Sequence, residues 1–568
     1  MLIRSTCAMA FMLLLVSCQS TMPSVSRSLG AGTNASDLAS ACVSLKAPIA
    51  SGAIGLPSGA ASIDSAVLTT ATPLSTADRG PTPASLITPA NPDFCKVLGS
   101  IAPLDPNAPL IKFQVNLPVS WNGRSVQYGG GGFNGVLINA LGLIPAARFD
   151  LPAPLAQGFV TYGTDSGHQN QPGQAPQAFA LNDEALLNFS HASYKKVRDV
   201  AVALMTRAYG AGPTKLYFVG SSEGGREGLT MAQRYPKDFD GIFSRVPVIN
   251  WTGLQMAGTR NGAATIGEGW LRPAQVKLVH EAVLAACDEA DGLKDGLVSD
   301  AVGCKARFEV TKLLCSSGAS GDHCLSDIQV RAVQTLHSNY KYPFPLANGV
   351  TEYPGWGVSG EATPAFGPTG GWSAWWLGST SPTLPPQPTN AIAWFYGSGA
   401  LQYFYARDPK FDVRNFKPEQ FAARINEVSA MMDSTNPDLS AFHARGGKLI
   451  VLENMADYAQ SPYVGIRYYE SVLARLGAST TRQFMRLYTA PGVDHVGSGG
   501  PANVDMLTAL THWVEKGQAP NDLQLVSQSL KPPFAVTMAR PMCEWPMWPR
   551  YKGGDGNVAS NFECAKTP

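Results

Sequence analysis

Charge is scarce in this sequence. Asp, Glu, Lys and Arg make up only 15% of its 568 residues, and the formal net charge is +1. No basic excess is available to hold a nucleic-acid backbone, and no acidic run is present to act as a solvated tail. Nucleic acid is therefore not an expected partner. Cysteine pairs of the C-x-x-C kind are absent, which removes the common zinc and dithiol-redox motifs. Beyond Cys18 no apolar stretch is long enough to cross a bilayer. Glycine (57) and proline (43), the residues of turns and long loops, are abundant. Hydrophobic residues make up 45% of the chain, a globular composition, and its length exceeds one ordinary core, so two or more domains are expected.

Residues 1–18 read as an export signal. Arg4 supplies the positive start, and Ala8 to Val16 the apolar run, too short for an ordinary membrane span. Leu15-Val16-Ser17-Cys18 resembles a bacterial lipobox, with cleavage before Cys18 and lipid on its thiol. Ordinary signal cleavage nearby, with Cys18 incidental, is the alternative. Either way the chain is expected to be exported: as a lipoprotein on the outer membrane or in the periplasm, touching membrane only through that anchor, or else secreted. Residues 19–41 are rich in Ser, Thr, Gly and Ala and read as a flexible tether. Of the ten cysteines, Cys7 leaves with the signal and Cys18 is the lipid site. The others are Cys42, Cys95, Cys287, Cys304, Cys315, Cys324, Cys543 and Cys564, and an even set in an exported chain points to disulfides. Sequence does not determine connectivity, but neighbours pair most simply: 42–95, 287–304, 315–324 and 543–564.

The densest chemical signal is Lys215-Leu-Tyr-Phe-Val-Gly-Ser-Ser-Glu-Gly-Gly-Arg226. An apolar run that reads as a buried strand leads into Gly-x-Ser-x-Gly, and a helix follows as far as Pro236. Strand, tight turn and helix form the context of a nucleophile elbow, with Ser222 as nucleophile and the N–H of Glu223 as an oxyanion donor. A plain Gly/Ser turn is the bland reading. Upstream, the Gly129–Gly135 run follows the strand-like Val126-Gln-Tyr128, and Gly131 or Gly132 is the candidate second donor. Read alone, that run is equally a flexible turn. Downstream, Lys448 to Glu453 reads as a strand with Asp457 in the loop beyond, and Gln483 to Tyr488 as a strand followed by His495. The order Ser222, Asp457, His495 is the α/β-hydrolase order. Asp494 is a rival acid, but an immediate neighbour reaches the Nδ1 of His495 poorly. Asp165 and His168 lie together before the serine and are read as loop-fixing residues.

Residues 250–440 change character and read as a lid inserted into a catalytic domain made of 42–249 and 441–568. Pro354 to Pro386 holds Trp356, Trp372, Trp375 and Trp376, suited to a flat apolar substrate or simply to packing. Cys287 to Asp300 carries Asp288, Asp291 and Asp295 with Gly292 and Gly296 between them. Those carboxylates with the carbonyls of Leu293 and Leu297 make a five-oxygen Ca²⁺ site of structural kind, against a solvated acidic turn. The spacing is not that of an EF-hand.

Taken jointly, the motifs resemble the tannase/feruloyl esterase family over about residues 42–566. The matching stretches are Trp121-Asn-Gly-Arg124 with the glycine run, Thr164-Asp-Ser-Gly-His168, the elbow through Gly241, the Cys287–Asp300 loop, Phe404-Tyr-Ala-Arg-Asp-Pro409, and Asp457 with His495. The resemblance implies an α/β-hydrolase core with a calcium-bearing lid, and hydrolysis of phenolic or aromatic-acid esters by Ser222, His495 as base and Asp457 as orienting acid. It implies the lid disulfides 287–304 and 315–324, and the oxyanion hole from Glu223 and the glycine run. Two positions depart. Ser221 and Val496 stand where such proteins typically carry a bridged cysteine pair, and Glu453-Asn454 where they carry His-Gly. The expected partner is a small aromatic ester (gallate, ferulate, hydroxybenzoate or terephthalate monoester), with no organic cofactor. A thioesterase, lactonase or peptidase would use the same triad, and a surface-anchored binding protein for aromatic polymers is the non-catalytic rival.

Overall fold

The computed structural model describes residues 35–566 except 79, 81, 364–369, 384, 388 and 389. The export signal, Cys18 and the first part of the tether lie outside the described residues. A helix, Ala35–Ser44, begins inside the stretch read as tether.

Nine strands make one sheet. In chain order they are β1 (Ala61–Thr69), β2 (Phe94–Ile101), β3 (Ile111–Pro118), β4 (Arg124–Tyr128), β5 (Val160–Thr164), β6 (Lys215–Ser221), β7 (Gly241–Arg245), β8 (Lys448–Asn454) and β9 (Met485–Ala490). Their spatial order is β1-β2-β3-β5-β4-β6-β7-β8-β9. The pairs β1/β2, β2/β3 and β3/β5 are antiparallel, and every later pair is parallel. This is the α/β-hydrolase architecture expected from the sequence.

The parallel strands are apolar on both sides because both faces are covered. In β6, Leu216 and Phe218 enter one core while Tyr217 and Val219 enter another on the opposite face. In β8, Leu449 and Val451 divide from Ile450 and Leu452 in the same way. The period of two along each strand thus feeds two helical layers. β1 and β2 fall in a Pro/Ala/Ser-rich region whose short β-like runs gave no strand limits. Their inward residues, with Cys42 and Leu45 of the first helix, form a third core against helix Ser193–Tyr209.

Residues 246–447 leave the sheet after β7 and return to it at β8, which pairs with β7 from Lys448↔Gly241 onward. The excursion is mainly helical, with helices Trp251–Ala264, Pro273–Cys287, Asp327–His337, Ile392–Ala400 and Ala422–Met432. Its core is continuous with one face of the sheet: Trp356, Trp376, Trp394 and Phe404 belong to the same buried cluster as Phe218 and Ile242. After β9 and helix Met506–Lys516 come two hairpins, Gln524–Gln528 with Val536–Pro541 and Met547–Tyr551 with Phe562–Lys566.

The eight cysteines pair as neighbours: 42–95, 287–304, 315–324 and 543–564. The first ties the N-terminal helix to β2 across a sequence separation of 53, and replacing both cysteines by serine is expected to cost about 4 kcal/mol on the chain-entropy model. A denaturant midpoint measured under non-reducing conditions checks this, and an unchanged midpoint would show that the helix is held by packing alone.

Candidate active site

β6 ends at Ser221, and the next residue turns sharply. Ser222 has φ 60° and ψ −123°, a left-handed conformation costly for any residue with a Cβ. Its neighbours impose it. The Ser222 N–H donates to the carbonyl of Arg245 at 3.0 Å, and its own carbonyl accepts from Gly225 at 3.0 Å and from Arg226 and Val248 at 3.2 Å. Glycine is required on both sides by close approach. A Cβ on Gly220 would lie 2.1 Å from the carbonyl oxygen of Gly224, and one on Gly224 would lie 2.7 Å from that of Gly130. Helix Glu223–Arg234 starts immediately after the serine.

The loops after β8 and β9 bring two more groups to this turn. His495 Nε2 lies 3.0 Å from Ser222 Oγ, and His495 Nδ1 lies 2.7 Å from Asp457 Oδ2. Asp457 is buried, and its other oxygen accepts the N–H groups of Ala459 (2.7 Å) and Gln460 (3.0 Å). A carboxylate held in this way takes a proton-bearing Nδ1, leaving Nε2 free to accept from the serine hydroxyl. Asp494 does not compete. Its Oδ1 accepts three backbone N–H groups, from Val496, Gly497 and Ser498, and so shapes the loop that carries His495.

Asp165 and His168 sit elsewhere. Asp165 accepts from the N–H of Lys112 and Gly167 and from Gln169 Nε2, and burial pushes its carboxyl up to about 6. His168 stacks on Phe179 at 3.7 Å between ring centres, and burial lowers it to about 4.

The glycine run lies against the elbow, held by a residue that the sequence reading passed over. Glu227, fully buried, accepts from Gly130 N–H at 2.8 Å and from Asn134 Nδ2 at 2.7 Å, and Tyr194 donates its hydroxyl to the same carboxylate. Asn134 Oδ1 in turn accepts the Gly131 N–H at 2.5 Å. Of the two candidate donors, Gly131 is thus engaged within the loop, whereas Gly132 lines the cavity with Ser222 and Glu223. Glu223 turns its carboxylate away to Arg226, with Nε at 2.7 Å, and burial pushes that carboxyl up to about 7. Arg226 is itself buried and donates to the carbonyls of Ser190 and Met432, which ties the elbow to the inserted segment. The signal available in sequence was an acid at each end of one helical turn, Glu223 and Glu227, with Arg226 between, on a helix leaving an apolar strand.

Above the serine lies a pocket, partly open to solvent, whose free space including its open mouth is about 390 Å³. Phe133, Val248, Trp251, Leu254, Trp375 and Tyr396 give it apolar walls, and Gln255 and Gln460 add neutral polar groups. Trp375 stands 6.1 Å from the His495 ring between centres. Of the four tryptophans singled out, it is the one in the cavity, while Trp356, Trp372 and Trp376 are buried in packing. No Lys or Arg lines this space among the described residues.

The acidic loop is cross-braced by its own hydrogen bonds. Asp288 and Asp291 are buried, and burial raises the Asp291 carboxyl. Asp288 accepts from the N–H groups of Asp295 and Gly296, Asp291 from Leu293, and Asp295 from Leu297. Gly292 and Gly296 take positive φ values of 98° and 79°. The other oxygen of Asp295 pairs with Arg540 at 2.5 Å. Two buried carboxylates without an ion pair among the described residues suit a hard cation chemically. The third carboxylate is turned to an arginine, and no cluster of three His, Cys, Asp or Glu poised for a metal occurs among the described residues.

Comparison with known proteins adds the relatives. A family model described as tannase and feruloyl esterase matches residues 95–565. An uncharacterized esterase of Agrobacterium fabrum is 36% identical, over 95% of both chains. The mono(2-hydroxyethyl) terephthalate hydrolase of Piscinibacter sakaiensis is 33% identical, over 86% of this chain and 88% of its own. Among solved structures, feruloyl esterase B from Aspergillus oryzae superposes with a TM-score of 0.74 at 24% identity, covering 93% of this chain and all of its own, which shows a common fold.

The relay geometry makes Ser222 the expected target of a fluorophosphonate probe, read by mass spectrometry of the labelled peptide. Replacing His495 by alanine is expected to slow labelling by about 10²- to 10⁴-fold, the range of general-base assistance. Labelling that is unaffected by His495→Ala would separate the serine from the histidine.

Proposed function

Because the chain belongs to the tannase and feruloyl esterase family and is thus a carboxylic ester hydrolase, we propose that it cleaves aromatic esters through an acyl-enzyme on Ser222. The observation that carries this reading is the relay from Asp457 through His495 to Ser222, opening on an aromatic-walled cavity. His495 Nε2 takes the hydroxyl proton as Ser222 Oγ adds to the ester carbonyl. The oxyanion is stabilised by the N–H groups of Glu223 and Gly132. The C–O bond to the alcohol breaks, and the alcohol leaves with the proton from His495. Water, deprotonated by the same histidine, then attacks the acyl carbon and frees the acid and the serine. Asp457 holds the ring and stabilises the imidazolium that forms at each stage.

The walls favour an uncharged acyl group. Phe133, Trp251, Trp375 and Tyr396 offer flat apolar contact, and Gln255 and Gln460 can bond a phenolic oxygen. A free carboxylate on the ring would be buried with no Lys or Arg lining the space among the described residues, a costly arrangement. Gallate, ferulate and hydroxybenzoate esters therefore rank ahead of the terephthalate monoester named for one relative. With methyl gallate, methyl ferulate, methyl 4-hydroxybenzoate and mono(2-hydroxyethyl) terephthalate compared side by side, kcat/KM is expected to be about a hundredfold higher for the best neutral ester. Ser222→Ala should abolish all turnover while leaving the fold intact. Preference for the charged monoester would overturn the substrate ranking, and full activity of the alanine variant would overturn the mechanism.

The Cys287–Asp300 loop is read as a structural calcium site, with Asp288 and Asp291 as carboxylate ligands and the Leu293 and Leu297 carbonyls beside them. Asp295 joins only by giving up its bond to Arg540. A bound ion would stiffen the loop and take no part in the chemistry. Calcium at a hundred times its Kd is expected to stabilise the protein by about 2.7 kcal/mol, seen as a rise in Tm that chelator reverses and Asp288→Asn removes. A Tm indifferent to calcium would refute the site. Four disulfides suit export to an oxidising compartment. No helix among the described residues is long and apolar enough to cross a membrane, and a lipid on Cys18 rests on the sequence motif alone.

A further inference from the structure

We propose that Gln255 sets the acyl specificity of the site: its buried, unpartnered carboxamide reads a hydroxyl carried by the substrate ring, so that ring-hydroxylated benzoate esters are selected over unsubstituted ones. This rests on the reading of Ser222 as nucleophile given above. Helix Trp251–Ala264 turns one face to the cavity, and Trp251, Leu254 and Gln255 of that helix line it. Residues three and four apart stand together on a helix surface, so these side chains form one patch. Trp251 is packed against Phe133 and Phe404, at 6.0 and 4.7 Å between ring centres. Gln255 is the polar member of this otherwise apolar patch. Its main chain is held twice over, because the carbonyl that serves the helix also accepts the Thr259 hydroxyl at 2.9 Å. Its side chain is not held. Gln255 is 6% exposed, yet no protein group bonds its carboxamide among the described residues.

A buried amide without a partner is destabilising, and a ligand that supplies the partner repays that cost on binding. Gln460 is the other carboxamide of the walls, but it is committed to the catalytic end. Its N–H bonds Asp457 Oδ1 at 3.0 Å, and its own Nε2 is buried without a partner. Gln460 therefore stands beside the triad, where the ester group itself must lie, and Gln255, on the inserted segment, is left to face the ring. The chemistry names the substituent. No Lys or Arg lines the space among the described residues, so the group read there is neutral. A carboxamide has N–H donors and an acceptor oxygen, and a phenolic hydroxyl both donates and accepts, so either end of the amide finds its complement. An unsubstituted ring offers neither and leaves the carboxamide dehydrated behind it.

The test is kcat/KM of the full chain on methyl benzoate, methyl 3-hydroxybenzoate and methyl 4-hydroxybenzoate for wild type, Gln255→Met and Gln460→Met, with the Tm of each. A hydroxyl also alters the intrinsic reactivity of the ester, so the quantity read is a double ratio: hydroxylated over unsubstituted ester in wild type, divided by the same ratio in the variant. For Gln255→Met and the better hydroxylated ester this is expected to be about tenfold, the worth of one well-placed hydrogen bond. Its Tm should be equal or higher, because a thioether replaces an unpartnered amide. For Gln460→Met the double ratio should stay within about twofold of one. A double ratio near one in Gln255→Met would overturn the proposal, as would a larger value in Gln460→Met than in Gln255→Met. A lowered Tm with equal losses on all three esters would mark Gln255 as structural and overturn it too. If Gln255→Met fails to fold, Gln255→Leu carries the same expectation. Wild type inactive on every ester would mean that the reading of Ser222 has failed, not this proposal alone.

Discussion

The site depends on backbone passing where no side chain fits. Gly220, Gly224 and the glycine run pack so closely that added methyl groups would overlap main-chain oxygens of the neighbouring segment. This contact lets strand, turn and helix follow one another without a spacer, and it drives Ser222 into a left-handed conformation that its neighbours then hold with four backbone hydrogen bonds. A serine so placed stands above the sheet end with its hydroxyl exposed to whatever the β8 and β9 loops present. Everything else in the site is arranged around that fixed point.

Buried charge does the second part of the positioning. Ion pairs in a core are weak sources of stability, because desolvation offsets most of their attraction. Here their value is geometric. Glu227 fixes the glycine run to the elbow helix, Arg226 reaches from that helix to the inserted segment, and Arg245 ties the end of β7 to the residue before the serine. Each links segments far apart in the chain, and each is directional, so it sets distances that apolar packing alone leaves looser. Where the resemblance implies a cross-link, Ser221 instead accepts a hydrogen bond from Arg245, and Val496 donates its N–H to Asp494.

The inserted segment shares its core with the sheet, which bears on substrate choice. Trp251 and Tyr396 project into the cavity from helices whose other residues are part of the main apolar cluster. The walls of the cavity are therefore supported by the fold itself, as expected for recognition of a rigid flat group. Gln255 and Gln460 set neutral hydrogen-bonding groups among those walls.

The sequence alone determined what is local. The elbow, the order of serine, acid and histidine, and the limits of most core strands and helices each depend on residues a few positions apart, on chain order or on a simple periodicity. The tertiary structure decided what is distant. Ser222 and His495 are 273 residues apart, and only the stacking of β6 to β9 side by side brings their loops together. The choice of Asp457 over Asp494 rests on which carboxylate reaches His495 Nδ1: Asp457 Oδ2 lies 2.7 Å from it, while Asp494 Oδ1 is taken up by three N–H groups of its own loop. The same holds for the placement of Gly132 rather than Gly131 at the cavity, for Trp375 among four tryptophans, and for Glu227 and Arg245, which no motif marks. β1 and β2 were obscure because their partly exposed faces carry polar residues and their pairing is with each other and β3, not with the elbow. Periodicity reports which face of an element is buried; it carries no information on what that face meets.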